Sequence, residues 1–338
     1  MFWLLGGKSL VVALAALSGL EIIRYELNHS EWEGLRFYDL IWPSFMLMVG
    51  VSVPFSFARR SLTQTRGEML RDAWKRAAVL FLLGSLRESL STGAPALIEL
   101  SSALQPIALA YLVTAHLAGR SVRLQLGVAV AILAGCGLLL AFVPGPGIPA
   151  GTYEQNHNLV TAVDQMVLDR AHRDGWGTVL SAIPTIATTI VGLLLGQVLM
   201  SAATPRAKLK VIGFTGLGCL ALGCALTPVV PAIMKLWTTS YALQSTGWAC
   251  LLFLFFYWMV DVLGFRSWAF PLVVIGMNAL GAYLLPTIIP VGRIVGTFTK
   301  PIAAAIGGLG PVLTAGSVLL AGWLVLFWMY RRNIFLRP

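Results

Sequence analysis

The chain has 338 residues, of which 57% are hydrophobic and only 11% charged, whereas soluble globular domains carry roughly 25% charged residues. Such a composition excludes a soluble enzyme and calls for an integral membrane protein. The net charge of +10 does not argue for nucleic acid, because cations in a chain with many apolar segments mark cytoplasmic loops.

Segments long enough to cross a ~30 Å hydrocarbon core as helices are predicted at 2–23, 38–57, 76–92, 101–119, 124–143, 178–200, 210–227, 241–262, 268–289 and 309–330. The expected fold class is all-α: a polytopic membrane protein of about ten transmembrane helices in a single domain over 1–338, with short loops and one longer loop at 144–177. The first segment carries Lys8 but no convincing small-residue cleavage site, so it reads as a retained helix. Between the first two segments lies a polar knot, Asn28 to Asp39, reading NHSEWEGLRFYD.

Assigning the loops alternately to two sides sorts the cations. One side collects Arg59, Arg60, Arg66, Arg71, Lys75, Arg76, Arg120, Arg123, Arg206, Lys208, Lys210, Arg266, Arg331, Arg332 and Arg337. That side is expected to be cytoplasmic, with both termini. The other side holds the knot together with Glu88, Glu99, Glu154, Asp164, Asp169 and Asp174, which makes His29 extracytoplasmic. In the loop 144–177 the turn-rich PGPGIPAG precedes NLVTAVDQMVL, whose apolar spacing predicts an interfacial helix. The Gly- and Pro-rich stretch Pro286 to Gly310, with Arg293 and Lys300, has the pattern of a re-entrant segment.

The four cysteines, Cys136, Cys219, Cys224 and Cys250, lie in apolar segments without metal-type spacing and predict neither disulfide nor metal. His29 is the first candidate for chemistry, because an imidazole can take and return a proton near neutral pH. Asp39 could orient it, as the acid of a triad does; it could equally cap the helix it opens. His157 and His172 read as solvated loop residues and His116 as structural. Trp237, between Lys235 and the run Thr238, Thr239, Ser240, fits either an interfacial belt or a site. Asn278, at membrane depth, must find partners and is either a site residue or an interhelical clamp.

Several strings, taken together and in order, resemble the heparan-alpha-glucosaminide N-acetyltransferase family and its bacterial relatives. His29, Trp32, Gly34, Leu35, Asp39, Leu40 and Pro43, followed by Val49, Gly50 and Ser52, match the family's knot and its Ala-Asp-Leu-Val-Phe-Pro run. Leu104, Gln105 and Tyr111 are similar to its Leu-Gln-Arg helix, and Asn158, Leu159 and Asp164 to its outer loop. Ser181, Pro184, Thr188 and Gly192 resemble its serine, proline and glycine helix. Lys235, Leu236, Trp237, Thr238 and Ser240 resemble its Lys-Leu-Trp-Thr-x-Ser motif; Gly276, Met277, Asn278 and Tyr283 resemble its Gly-Met-Asn helix. The chain departs from the pattern in four places. It starts at Met1 inside what resembles the first helix, where relatives have a Ser-Leu-Asp-x-x-Arg-Gly arm; Pro106 follows Gln105; Glu99 stands where an arginine is common; and Asp-Pro-Glu-Gly is altered to Asp174, Gly175, Trp176, Gly177.

The resemblance implies a transmembrane acyltransferase that moves an acyl group, acetyl in the family, from cytosolic acetyl-CoA to an extracytoplasmic amino sugar or glycan. By it, His29 carries the chemistry, with Asp39 and Asn28 positioning it, and Trp32, Lys235, Trp237, Asn278 and, deeper, Gln105 bind substrate. The partners expected are membrane lipid and the sugar acceptor, with a homodimer left open and a bacterial inner membrane as the location. The alternative from another class is a permease or flippase for an envelope sugar or lipid, in which His29 only titrates.

Overall fold

The computed structural model describes residues 1–100, 102–172 and 174–336. Ser101, at the edge of the span expected at 101–119, and Arg337, one of the cytoplasmic cations, lie outside the described residues. The chain is all-α, about 74% helical. Its helices are α1 (Lys8–Ser18), α2 (Glu21–Glu26), α3 (Ile41–Arg60), α4 (Arg66–Thr92), α5 (Leu104–Leu117), α6 (Val122–Phe142), α7 (Leu159–Leu168), α8 (Val179–Met200), α9 (Pro205–Leu226), α10 (Thr239–Phe256), α11 (Phe270–Met277), α12 (Ala279–Ile288), α13 (Val291–Ala305) and α14 (Gly310–Arg331). A two-stranded pairing of Tyr153–Glu154 with His157–Asn158 is the sheet among the described residues.

Six of these stretches are long and apolar enough to cross a membrane: Phe37–Arg60, Val122–Phe142, Val179–Met200, Pro205–Leu226, Thr239–Val262 and Gly307–Arg331. The pair Ser267–Met277 and Ala279–Ile288, bent by 64°, makes a seventh when taken as one span. The remaining expected spans are shorter or more polar than the sequence pattern implied. Gly19, in the left-handed region at φ 68°, ends α1 at Ser18 before the chain turns helical again at Glu21. Helix α4 spends its first turns on Arg66, Glu68, Arg71, Asp72, Lys75 and Arg76. Helix α5 has 14 residues, about 21 Å of rise.

The described residues group into two compact units, where the sequence suggested one domain: Met1–Asn28 with the chain from Met259 onward, and His29–Trp258. In the first unit, the π-helical turn Trp3–Gly7 and α1 run antiparallel to α14, with Gly6 against Leu319, Leu5 against Gly322 and Leu10 against Gly316. The break between α11 and α12 falls at Asn278, whose side chain is almost wholly buried. Its amide donates to the Ile334 carbonyl at 3.1 Å and its Oδ1 accepts the Leu336 N–H at 3.1 Å. Asn278 is thus a clamp on the C-terminal segment of its own unit.

The second unit is organised on α3 and α8. They run parallel, because their contacts climb together: Met46 meets Thr189, Gly50 meets Gly192, and Val51 and Pro54 meet Gly196. A Cβ on Gly50 would strike the Thr189 carbonyl, and one on Gly192 the Leu47 carbonyl. The spacing Gly192, Gly196 is the small-xxx-small device that lets two helix backbones touch. Helices α4 and α5 pair antiparallel through Gly84 on Gln105 and Arg66 on Ala118, and α9 and α10 through Gly216 on Gly247 and Gly223 on Gln244. These pairings agree with a chain that alternates direction from α3 to α6 and from α8 to α10. They bring the loops after α3, α5 and α8 to one end and the knot to the other. Replacing Gly192 with Leu is expected to cost at least the 1–3 kcal/mol typical of overpacking, seen as a lower melting temperature in detergent. Gly127→Leu, on a face of α6 with nothing within 4 Å, is the control; equal melting of the two variants would refute the seam.

Candidate functional site

The knot folds around Asp39. Arg36 is extended (φ −111°, ψ 164°) and the turn Phe37–Leu40 follows, which places Asp39 at the third position of a helix start with its carboxylate turned back over the free amides. Its Oδ2 accepts the Arg36 N–H at 2.9 Å and the Ser30 N–H at 3.2 Å. Its Oδ1 accepts Nδ1–H of His29 at 2.7 Å. Capping and orientation of the histidine are therefore not rivals: each oxygen serves one. The Asp39 side chain is fully buried while that of His29 is 41% exposed. A carboxylate can only accept, so the hydrogen-bond network assigns the proton to Nδ1 and leaves a lone pair on Nε2.

Three segments hold this dyad. The Arg36 guanidinium donates to the His29 carbonyl at 2.9 Å. The Tyr241 hydroxyl, buried in α10, donates to the Asp39 carbonyl at 2.8 Å. The Gly34 N–H donates to the Ala232 carbonyl at 2.8 Å beside a bridge of Glu33 with Ile233; Gly34 sits at φ 101°, a conformation open to glycine.

A run of aromatic rings leads inward from His29. Tyr38 and Trp176 meet the imidazole edge-on at centroid distances of 4.8 and 5.8 Å. Trp176 adjoins Trp42 at 6.5 Å, Trp42 packs edge-on to Trp237 at 4.8 Å, and Trp237 to Tyr241 at 5.4 Å. Trp237 is fully buried, and it holds a left-handed φ of 50° that non-glycine residues seldom adopt. The turn carrying it is closed by Thr238, whose Oγ1 donates to the Pro231 carbonyl at 2.7 Å and accepts the Ile233 N–H at 3.0 Å.

Of the residues expected from sequence, the structure brings His29, Asp39, Trp32, Lys235 and Trp237 into one face of the second unit. The Trp32 indole donates to the Tyr153 carbonyl at 2.7 Å, and Lys235 Nζ lies 5.8 Å over the Trp32 ring while donating to the Asp174 carbonyl at 2.9 Å. Asn28 sits at the edge of the first unit, and its amide donates to the Arg24 carbonyl at 2.8 Å. Gln105 is fully buried with both ends engaged: Oε1 accepts the Glu99 N–H at 2.8 Å, and Nε2 donates to Ser85 Oγ and the Leu97 carbonyl, each at 2.9 Å. Its hydrogen bonds shape the turn before α5 rather than reach the knot. Glu99, buried in that turn, is ion-paired with Arg170. His116 Nδ1 bonds to the Leu112 carbonyl of its own helix at 2.8 Å.

Trp42, Trp176, Tyr38 and Arg36 were not singled out as site residues from the sequence. The spacing from Asp39 to Trp42, one turn of helix, was the signal for Trp42; nothing local points Trp176 at a histidine 147 positions earlier.

Compared with known proteins, the chain matches no family model and no curated protein.

At the other end of α3 is a cleft of about 520 Å³. Its walls include Pro54 and Ser61 of α3 and the turn after it, Arg66, Arg120, Gln197 and Ser201. Arg66 donates to the Ala118 and His116 carbonyls, both at 2.9 Å, so its charge is fixed in the wall.

The loop 144–177 is anchored rather than loose. Asn158 Oδ1 accepts the Thr161 N–H at 3.0 Å and starts α7; Asp164 then accepts the N–H groups of Thr178 and Val179, both at 2.9 Å, and starts α8. Burial pushes the Asp164 carboxyl above the usual carboxylate range, against the downward pull of those bonds. Helix α7 buries Leu159, Val160 and Ala162 and exposes Met166 and Val167, the two-faced pattern expected of it. Asp164→Ala should strand the buried Thr178 amide and the half-buried Val179 amide and cost about 1–3 kcal/mol, lowering the melting temperature; Asp164→Asn, which keeps one acceptor, should cost less. Unchanged melting of the alanine variant would remove Asp164 from the support of the site.

Proposed function

We propose that the chain is a membrane acyltransferase that moves an acyl group, acetyl by the family resemblance, from a cytosolic acyl-CoA to an amino or hydroxyl group of an extracytoplasmic sugar. The observation that carries this reading is the His29–Asp39 pair at 2.7 Å, with Nε2 of a partly exposed imidazole left as an acceptor. An amine attacks a thioester only through its neutral form and must lose a proton as the new bond forms. His29 Nε2 takes that proton while the nitrogen–carbon bond forms and the carbon–sulfur bond breaks, and the thiolate leaves. Asp39 holds the imidazole in the productive tautomer and stabilises the imidazolium. Direct attack of the acceptor on the donor needs no other base.

The orientation follows from charge. The loops that line the cleft carry Arg59, Arg60, Arg66, Arg120 and Arg123, and excess Arg and Lys belongs on the cytoplasmic side. On this reading the cleft faces the cytosol and His29 the opposite side of a bacterial inner membrane, in keeping with the short loops. Arg66 and Arg120 suit the phosphates of a CoA thioester, with Gln197 and Ser61 as hydrogen-bonding neighbours. From Pro54 at the cleft to Ile41 beside the dyad α3 rises about 20 Å, so the donor must present its acyl end on an extended arm, which pantetheine supplies. On the opposite side the aromatic residues Trp32, Tyr38 and Trp176 offer apolar faces for a sugar ring, and Lys235 and Trp237 complete the expected surroundings. Gln105 acts on this reading through the backbone it holds.

Purified protein in detergent, given radiolabelled acetyl-CoA and a panel of amino sugars, tests the proposal. Transfer of label is expected, falling by roughly 10²–10⁴-fold in His29→Ala, the usual worth of a general base, and strongly in Asp39→Asn, with melting temperatures tracked alongside. Absence of transfer overturns the acyltransferase reading in favour of a permease, and equal transfer by a folded His29→Ala overturns His29 as its base.

A further inference from the structure

In the first unit, α13 has 15 residues, about 22 Å of rise, which is too short to cross a ~30 Å core. It joins the bent pair α11–α12, of spanning length when its two helices are taken as one span, to α14. With the pair taken so, a helix too short to cross that sits between two crossing stretches begins and ends on the same side.

Its side chains divide into three stripes. Val291, Val295, Thr299 and Ala303, spaced by four, are half-buried, and the Ala303 carbonyl lies against Gly310 at the start of α14. That stripe is the seat on α14. The next stripe, Ile294, Phe298 and Ile302, is also spaced by four and is 50%, 73% and 56% exposed. The third is polar: Arg293, Thr297 and Lys300 are all exposed. Arg293 and Lys300 are seven residues apart, so they share a face about 10 Å apart along the axis.

An aromatic and two isoleucines in one uncovered row make an apolar patch of the kind that soluble surfaces avoid. Here the row is continuous with a helix of membrane-spanning character, and the cations stand on the adjoining face. We propose that α13 lies in the bilayer interface, with Ile294, Phe298 and Ile302 among the acyl chains and Arg293 and Lys300 on the phosphates of anionic phospholipids. Apolar burial sets the depth, and the long cationic side chains reach up to the headgroups.

The test uses the full chain, its four cysteines replaced by alanine and its melting temperature checked, in phosphatidylcholine bilayers containing phosphatidylglycerol. A bimane label is placed at Phe298→Cys, at Ile302→Cys or at Thr297→Cys, and lipids brominated on the acyl chain serve as quencher. Quenching at 298 and 302 is expected to be at least twofold stronger than at 297. Phosphatidylglycerol retained through purification should fall at least twofold in Arg293→Gln/Lys300→Gln. Equal quenching at the three positions, or disulfide formation between two copies at 298 with no quenching there, overturns the lipid assignment, the latter in favour of a second copy as the cover. Undiminished phosphatidylglycerol in the double variant overturns the role of the cations.

Discussion

A buried carboxylate is the constraint around which the knot is built. Removing an ionised Asp from water costs several kcal/mol unless its oxygens are filled. Asp39 fills them with two backbone amides and an imidazole, and its own carbonyl takes the Tyr241 hydroxyl. Each partner thereby loses its freedom. The amides fix the loop before α3, the imidazole is fixed in ring orientation and tautomer, and Tyr241 ties α10 to the same point. One side chain thus converts an unstructured-looking polar stretch into a platform that holds a partly exposed imidazole in one orientation.

The platform stands on α3, and α3 has its own anchor in the glycine seam with α8. Because Gly50, Gly192 and Gly196 let the two backbones touch, the pair packs backbone to backbone as a single rod. One end carries Asp39 and the other borders the cleft lined by Pro54, Ser61 and Gln197. In the proposed reaction this rod fixes the distance the acyl donor must cover, which makes the length of the donor's arm a selection rule set by the fold.

Much of this was legible in the residues, and what was not has physical reasons. Long apolar runs became helices, and the loops rich in Arg and Lys gathered at one end of the second unit, since both properties are summed over many residues. The count of spans was less secure, because a left-handed Gly19, the polar first turns of α4 and the bend at Asn278 depend on single positions that hydropathy averages away. The pair His29–Asp39 was visible from a spacing of ten residues within one loop. Trp176 was not, because its contact with His29 is created by α7 and α8 docking the loop 144–177 beside the knot. Gln105 resembled a ligand residue by its string, yet its amide is consumed by the turn at 97–99; a motif shared for structural reasons reads the same as one shared for binding.

The left-handed φ of Trp237 separates these two kinds of residue. An ordinary side chain in that conformation is strained by about 1–3 kcal/mol, and persists only where its surroundings over-determine it. Here Thr238 closes the turn, while Trp42 and Tyr241 grip the ring from two sides. A belt tryptophan facing headgroups needs none of this, since the interface accepts it in any backbone conformation. The strain is retained at full burial, three rings from the imidazole and one from the tyrosine that binds the Asp39 carbonyl. The strained turn and the buried carboxylate then serve one end: both hold the surroundings of the His29 ring still.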